Sequence, residues 1–165
     1  MAMIKGFQLK AVKNFRGHEG EPLKQGNLYF GNKKVGFVSE DSNGGYPTID
    51  IDRAYREEWT KASELFEKEY PEKSISTPEE TLFHALLEIT ENESTFKKAV
   101  KKGYSVVAHF DELRKYPDNT ILPTGQQIML TASNLKQVDE YEESDWKGKL
   151  YEKSVFTSLE DFIIS

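Results

Sequence analysis

The sequence contains no cysteine, which excludes a disulfide scaffold, a cysteine nucleophile, thiolate zinc sites and cysteine-ligated iron–sulfur clusters. No apolar run approaches the ~20 residues that span a bilayer, so no membrane is expected among the partners. The opening residues, Met1 to Leu9, are interrupted by Lys5 and Gly6 and lack a signal-peptide core. The expected location is the cytoplasm of a host cell. Histidine is scarce: His18, His84 and His109 are far apart, and none has a metal-binding partner three or four residues on. The Gly44-Gly45 loop lacks the Gly-Lys-Ser/Thr of a P-loop, and no strand leads into the glycine spacing of a dinucleotide fold. Neither a metal nor a cofactor is expected. Internal repeats, heptads and low-complexity linkers are also missing, and 165 residues suit one compact domain or a domain with a small appendage.

What the chain does have is aromatic surface and divided charge. Two Trp, eight Tyr and ten Phe supply a core even though 30% of the residues are charged. Residues 1–38 carry seven Lys and Arg against two Glu, a net +5, so the remainder of a chain with net charge −6 stands at −11. A net-acidic protein is repelled by bulk nucleic acid at long range. A local cationic patch still binds a phosphate backbone within a Debye length, ~8 Å at physiological salt.

Periodicity predicts an α+β chain: an N-terminal antiparallel β-hairpin module, then two or three helices, then a second small antiparallel sheet. Phe7, Leu9 and Ala11 alternate with Gln8 and Lys10 in a first strand over Ile4 to Val12. Gly26 to Phe30 and Lys34 to Ser39 flank Gly31-Asn32, a pair that favours the positive φ of a tight hairpin. A loop at Asp41 to Pro47 precedes a short strand at Thr48 to Ile51. Tyr55, Trp59, Ala62, Phe66 and Tyr70 then mark one face of a helix that Pro71 stops. Thr77-Pro78-Glu79-Glu80 has the pattern of a capping box for a second helix with Leu82, Phe83, Leu86 and Leu87 buried. Glu91 to Ser94 either breaks or decorates that helix before Gly103 caps it. Tyr104 to Phe110, Ile128 to Thr131 and Leu150 to Phe156 are strand candidates, the acidic run between the last two reads as a solvated loop, and a short final helix is expected from Ser158. The domain division falls between a basic β-hairpin module at 1–51 and an acidic α+β body at 52–165.

Four constellations carry possible chemistry. His18 sits among Arg16, Glu19, Glu21 and Lys24 in a glycine-containing loop, where an imidazole can move a proton while cations stabilise a phosphorane. His18 is therefore the candidate catalytic residue for metal-free RNA cleavage, against the alternative of an exposed turn. His84 reads as a core-edge histidine, whereas His109 beside Asp111 and Glu112 resembles either a base with its orienter or a strand end before a helix cap. Arg16, Lys24, Tyr29, Lys33 and Lys34 combine phosphate-binding charge with a stacking ring and are the candidate nucleic-acid contacts. Asp139, Glu140, Glu142, Glu143 and Asp145, with Trp146 as an aromatic anchor, are the candidate protein contacts, able to occupy a basic nucleic-acid channel on a partner. Asp50 and Asp52 around Ile51 read as a cap and a neighbouring turn acid.

The stretch from His18 to Gly45, punctuated by Gly20, Gly26, Gly31 and Gly36, resembles the leading module of small proteins encoded by phages and mobile elements of Gram-positive bacteria, among them some type II-A anti-CRISPR proteins. That resemblance implies inhibition of the RNA-guided nuclease Cas9, by masking a surface or by interfering with its guide RNA. The expectation is a binding protein whose acidic body meets a host nuclease or other nucleic-acid-binding protein while its basic hairpin meets the nucleic acid. An RNA-cleaving or cleavage-promoting enzyme and an accessory or structural mobile-element protein are the alternatives.

Overall fold

The computed structural model describes Met1 to Ser165, and the chain divides into two compact units, Met1–Glu93 with Phe162–Ser165 and Ser94–Asp161. In the first lie β1 (Met3–Ile4), β2 (Phe7–Arg16), β3 (Pro22–Phe30), β4 (Lys33–Ser39), β5 (Thr48–Ile51), α1 (Arg56–Glu69) and the start of α2 (Pro78–Lys101). The second holds the end of α2, then β6 (Val106–Lys115), β7 (Ile121–Ala132), α3 (Leu135–Asp145) and β8 (Tyr151–Phe156), and β9 (Ile163–Ile164) returns to the first. The α+β class and the second antiparallel sheet are as expected. The division is elsewhere: α1 packs on the N-terminal sheet, so that unit runs well past residue 51.

The first sheet has the order β5-β4-β3-β2-β1-β9, antiparallel except where β9 runs parallel to β1. The single first strand predicted over Ile4 to Val12 is broken by a turn at Lys5-Gly6, both at positive φ. Hairpin β3–β4 turns at Gly31-Asn32 with Phe30 opposite Lys33. Gly31 has φ +60°, but Asn32 is not at positive φ, so the turn needs a left-handed residue only at its first central position, the type II′ requirement. On β4, Gly36 faces β5 so closely that a Cβ would lie 2.2 Å from the Asp50 carbonyl oxygen.

One face of this sheet supplies Phe7, Leu9, Leu28, Val35 and Val38 to a core completed by Trp59 and Phe66 of α1 and Leu82, Phe83 and Leu86 of α2. Trp59 meets Phe7 edge-on with ring centroids 5.1 Å apart. The stripe read from the sequence is thus the buried one, with Trp59 and Phe66 fully enclosed. The start of α2 is capped as expected, the Thr77 hydroxyl accepting from the Glu80 amide at 3.2 Å, while the Glu80 carboxylate engages the Ser76 hydroxyl. Glu91 to Ser94 leave α2 unbroken. Its end is a Schellman motif: Gly103, at φ +95°, donates to the Val100 carbonyl at 3.0 Å and Tyr104 to the Ala99 carbonyl at 3.1 Å.

The second sheet has the order β7-β6-β8, all antiparallel. Val106, Ala108 and Phe110 of β6 face α3, whose Val138 and Tyr141 close the core with Trp146 stacked on Phe110 at 5.4 Å and 14°. Here the sequence reading needs three corrections. The acidic run is helix rather than loop, because Asn134 caps it by accepting from the Gln137 amide at 3.0 Å and Val138 and Tyr141 give it one apolar side. Strand β6 continues through Asp111 and Glu112 to Lys115, and no helix cap follows His109. The expected final helix is one 3-10 turn, Leu159–Phe162, after which Ile163 and Ile164 pair with Met3 and Ile4.

Candidate nucleic-acid interface

Residues that alternate with the core positions of the first sheet line its other face, away from α1 and α2. Register places Gln8 and Lys10 of β2 opposite Tyr29 and Asn27 of β3. Tyr29 and Asn27 in turn lie opposite Lys34 and Phe37 of β4. The Lys10 ammonium sits over the Tyr29 ring, 4.3 Å from its centroid, and Lys34 flanks the ring from the neighbouring strand. Lys13 continues the same side beyond a bulge at Ala11, opposite Gln25. Phe37 is exposed, and Gln8 is buried with its Oε1 unpaired. The ion pairs of this unit engage Lys5, Lys24, Arg56, Lys61 and Lys73, leaving Lys10, Lys13 and Lys34 unneutralised. The acid on this side is Asp50 of β5, opposite Phe37.

Of the five nominated nucleic-acid contacts, the fold brings Tyr29 and Lys34 together and separates the others. Lys33 follows Phe30 toward the helical side, its ammonium 5.1 Å from the centroid of the Tyr55 ring. Lys24 is paired with Glu91 of α2, and its backbone amide donates to Glu40 at 2.8 Å. Arg16 donates to the Gly20 carbonyl at 2.8 Å within its own loop. Lys10 and Phe37 share this face with Tyr29 and Lys34 and were not among the nominated residues. Alternation of Lys10 with Phe7 and Leu9 was the available signal, but only the β2–β3 register puts that lysine on Tyr29.

The other candidates are dispersed. His18 is exposed, and the nearby Arg16 guanidinium is turned to the Gly20 carbonyl. His84 lies between Glu40 and Glu80, 4.0 and 3.9 Å from their carboxylates. His109 is buried on β6 with neither ring nitrogen hydrogen-bonded, while Asp111 accepts from Gln127 and Glu112 from Thr124. The base-and-orienter arrangement is therefore not formed: Glu112 lies on the opposite face of the strand, and Asp111, on the same face as His109, accepts from Gln127 and not from the imidazole. No group of three His, Asp or Glu side chains is arranged to hold a metal ion.

On α3, Asp139, Glu140, Glu143 and Asp145 are exposed, Glu140 and Glu143 forming i, i+4 pairs with Lys136 and Lys147 at 4.0 and 3.9 Å. Glu142 is held by the Lys153 ammonium at 2.5 Å and the Tyr151 hydroxyl at 2.8 Å. These two hydrogen bonds lower its pKa, Lys153 contributing most, and the bond to Glu142 raises that of Tyr151. Trp146, nominated as the aromatic anchor of a protein contact, is a core residue of the second unit. No helix is long and apolar enough to cross a membrane. Compared with family models, curated proteins and solved structures, the chain matches none.

Proposed function

We propose that the chain is a binding module of a protein–nucleic acid complex, contacting a single-stranded or splayed segment of the nucleic acid through the open face of its first sheet. The observation that carries this reading is Tyr29 between Lys10 and Lys34, with none of these cations neutralised by an acid. Tyr29 is half-buried, and a cation over a ring that keeps contact with water is worth about 0.5–1 kcal/mol. A base stacked on an aromatic ring is worth about 1–3 kcal/mol, so a base displaces the Lys10 ammonium from the ring and moves it toward the adjoining phosphate. Phe37, exposed on the next strand, offers a second platform. Duplex nucleic acid, whose bases are already stacked on one another, gains only the charge contacts.

The exposed acids of α3 suit the basic protein of such a complex, and occupation of its nucleic-acid channel would inhibit it. This is the action that the resemblance to anti-CRISPR proteins implies for Cas9 and its guide RNA. The reading is tested by fluorescence anisotropy with a labelled single-stranded RNA, a single-stranded DNA and a duplex of the same sequence. Binding of the single strands above the duplex is expected. The double variant Lys10→Glu, Lys34→Glu should retain its fold and lose affinity, and its log affinity should depend on log salt less steeply by about 1.4, two phosphates at ~0.7 each. Unaltered affinity and slope in this variant would overturn the proposal.

A further inference from the structure

Strand edges invite pairing with other chains, and three of the four edges in this molecule are guarded. β9 has two residues, β5 has four with Asp50 among them, and β8 carries Glu152 and Lys153. The fourth, β7, runs for twelve residues, Ile121–Ala132, without a single charge in a chain that is 30% charged. It is exposed from Ile121 to Met129 apart from Thr124. Ile128, on the α3 side, and Met129, on the other, are 45% and 50% exposed.

Within β7, Pro123 and the left-handed Gly125, at φ +86°, disrupt the first half of the edge. The run from Gln126 to Ala132 is regular, pairing with β6 without a shift from Gln127 onward. We infer that this run is the docking surface for a second copy of the chain, the two β7 strands pairing antiparallel about a two-fold axis at Met129 to make one six-stranded sheet. The occupant follows from the chemistry of the strand. An isologous contact brings every side chain near its own copy, so a charged strand would repel itself, and this one carries no charge. In that register Met129 meets Met129 of the second copy on one face, and Ile128 meets Leu130 on the α3 face. Gln127 lies opposite Thr131. Each exposed aliphatic side chain thereby gains an apolar neighbour, and the free backbone groups of the edge gain partners. One strand per copy is a small interface, so dissociation on the order of micromolar or weaker is expected.

The experiment is sedimentation analysis of the full chain over a concentration series at low and high salt. The expected result is a reversible shift toward twice the 19.0 kDa chain mass. This shift should strengthen with salt, because two copies of net charge −6 repel less when screened and the contact itself is uncharged. Met129→Lys, at an exposed position, should preserve the circular dichroism spectrum and reduce association at least tenfold. An equimolar mixture of Met129→Lys and Met129→Glu chains should associate again, since opposite charges then meet at the axis. A monomer throughout the series, a dimer that Met129→Lys leaves intact, or association only with a strand of another protein would each overturn the inference.

Discussion

The two units solve the same problem, covering one face of a β-sheet, with different amounts of helix. In the first, α1 and α2 lay Trp59, Phe66, Leu82, Phe83 and Leu86 against the strands. In the second, one short helix covers one face of three strands with an aromatic cluster in which Phe110 contacts Tyr141, Trp146 and Tyr151, while Val107 and His109 of β6 are buried on the other face. A helical layer that spans a sheet fixes which face of each strand is apolar, and leaves the opposite face to carry Lys10, Tyr29 and Lys34. A helix that covers only part of a sheet leaves an edge such as β7 with exposed aliphatic side chains on both faces.

The two tryptophans provide the strongest test of that contrast, because each unit contains one and each substitution leaves the other as reporter. Trp59→Ala should cost about 3–5 kcal/mol, with Trp146 fluorescence following the second unit. Trp146→Ala should cost about 3 kcal/mol, the lower end of that range, since a cluster under a single helix can collapse around the loss. Urea unfolding followed by circular dichroism, which reads both units, checks both losses, and the remaining tryptophan shows whether the unsubstituted unit keeps its stability. A loss below about 1 kcal/mol at Trp146 would restore it to the role of aromatic anchor, and an equally small loss at Trp59 would mean that the α1 stripe is not core.

The same contrast explains what could be read in advance. Tyr55 to Tyr70 are spaced for a helix because a broad sheet lies beneath, and Thr77-Pro78 and Gly103 mark the ends of α2 through local hydrogen bonds. Acidic α3 resembled a loop because its contact with the sheet comes from Val138 and Tyr141 alone, while five acids dominate its composition. Strand β7 was half missed because its exposed first residues do not alternate in polarity. The candidate interface was legible only in part. Tyr29 and Lys34 are close in sequence, but Lys10 reaches the ring through strand pairing, and which of Lys33 and Lys34 shares the Tyr29 face depends on a register shift between Leu28 and Tyr29.

A smaller effect distinguishes the residues of the β3–β4 turn. Gly31→Val places a β-branched side chain at φ +60° and should cost about 1–2 kcal/mol. Asn32→Val, at a position outside the left-handed region, should cost less than half as much. Thermal unfolding of the two variants decides the point, and equal losses would mean that both residues of the turn need positive φ.

The least effect is expected at the surface of the second unit, where Glu142 joins α3 to β8 through Lys153 and Tyr151. The pKa of Glu142 is lowered by these bonds, so its stabilisation is complete above the unfolded carboxyl value, ~4.3, and is lost as pH falls through the lowered folded value. Tyr151 has the opposite sign. Its raised pKa means that stabilisation is present below the unfolded value, ~10, and lost as pH rises through the raised one. Between these limits the link is intact. An ion pair this near the surface contributes at most about 1 kcal/mol, or ~2–4 °C in Tm for a chain of this size. Glu142→Gln keeps an acceptor for the Tyr151 hydroxyl but removes the charge that Lys153 neutralises. Its Tm should therefore fall by that small amount at neutral pH and converge with the wild type in acid, once the pH has fallen through the lowered value of Glu142. If the gap in Tm is the same at both pH values, the hydrogen-bond geometry rather than the charge on Glu142 holds α3 to β8.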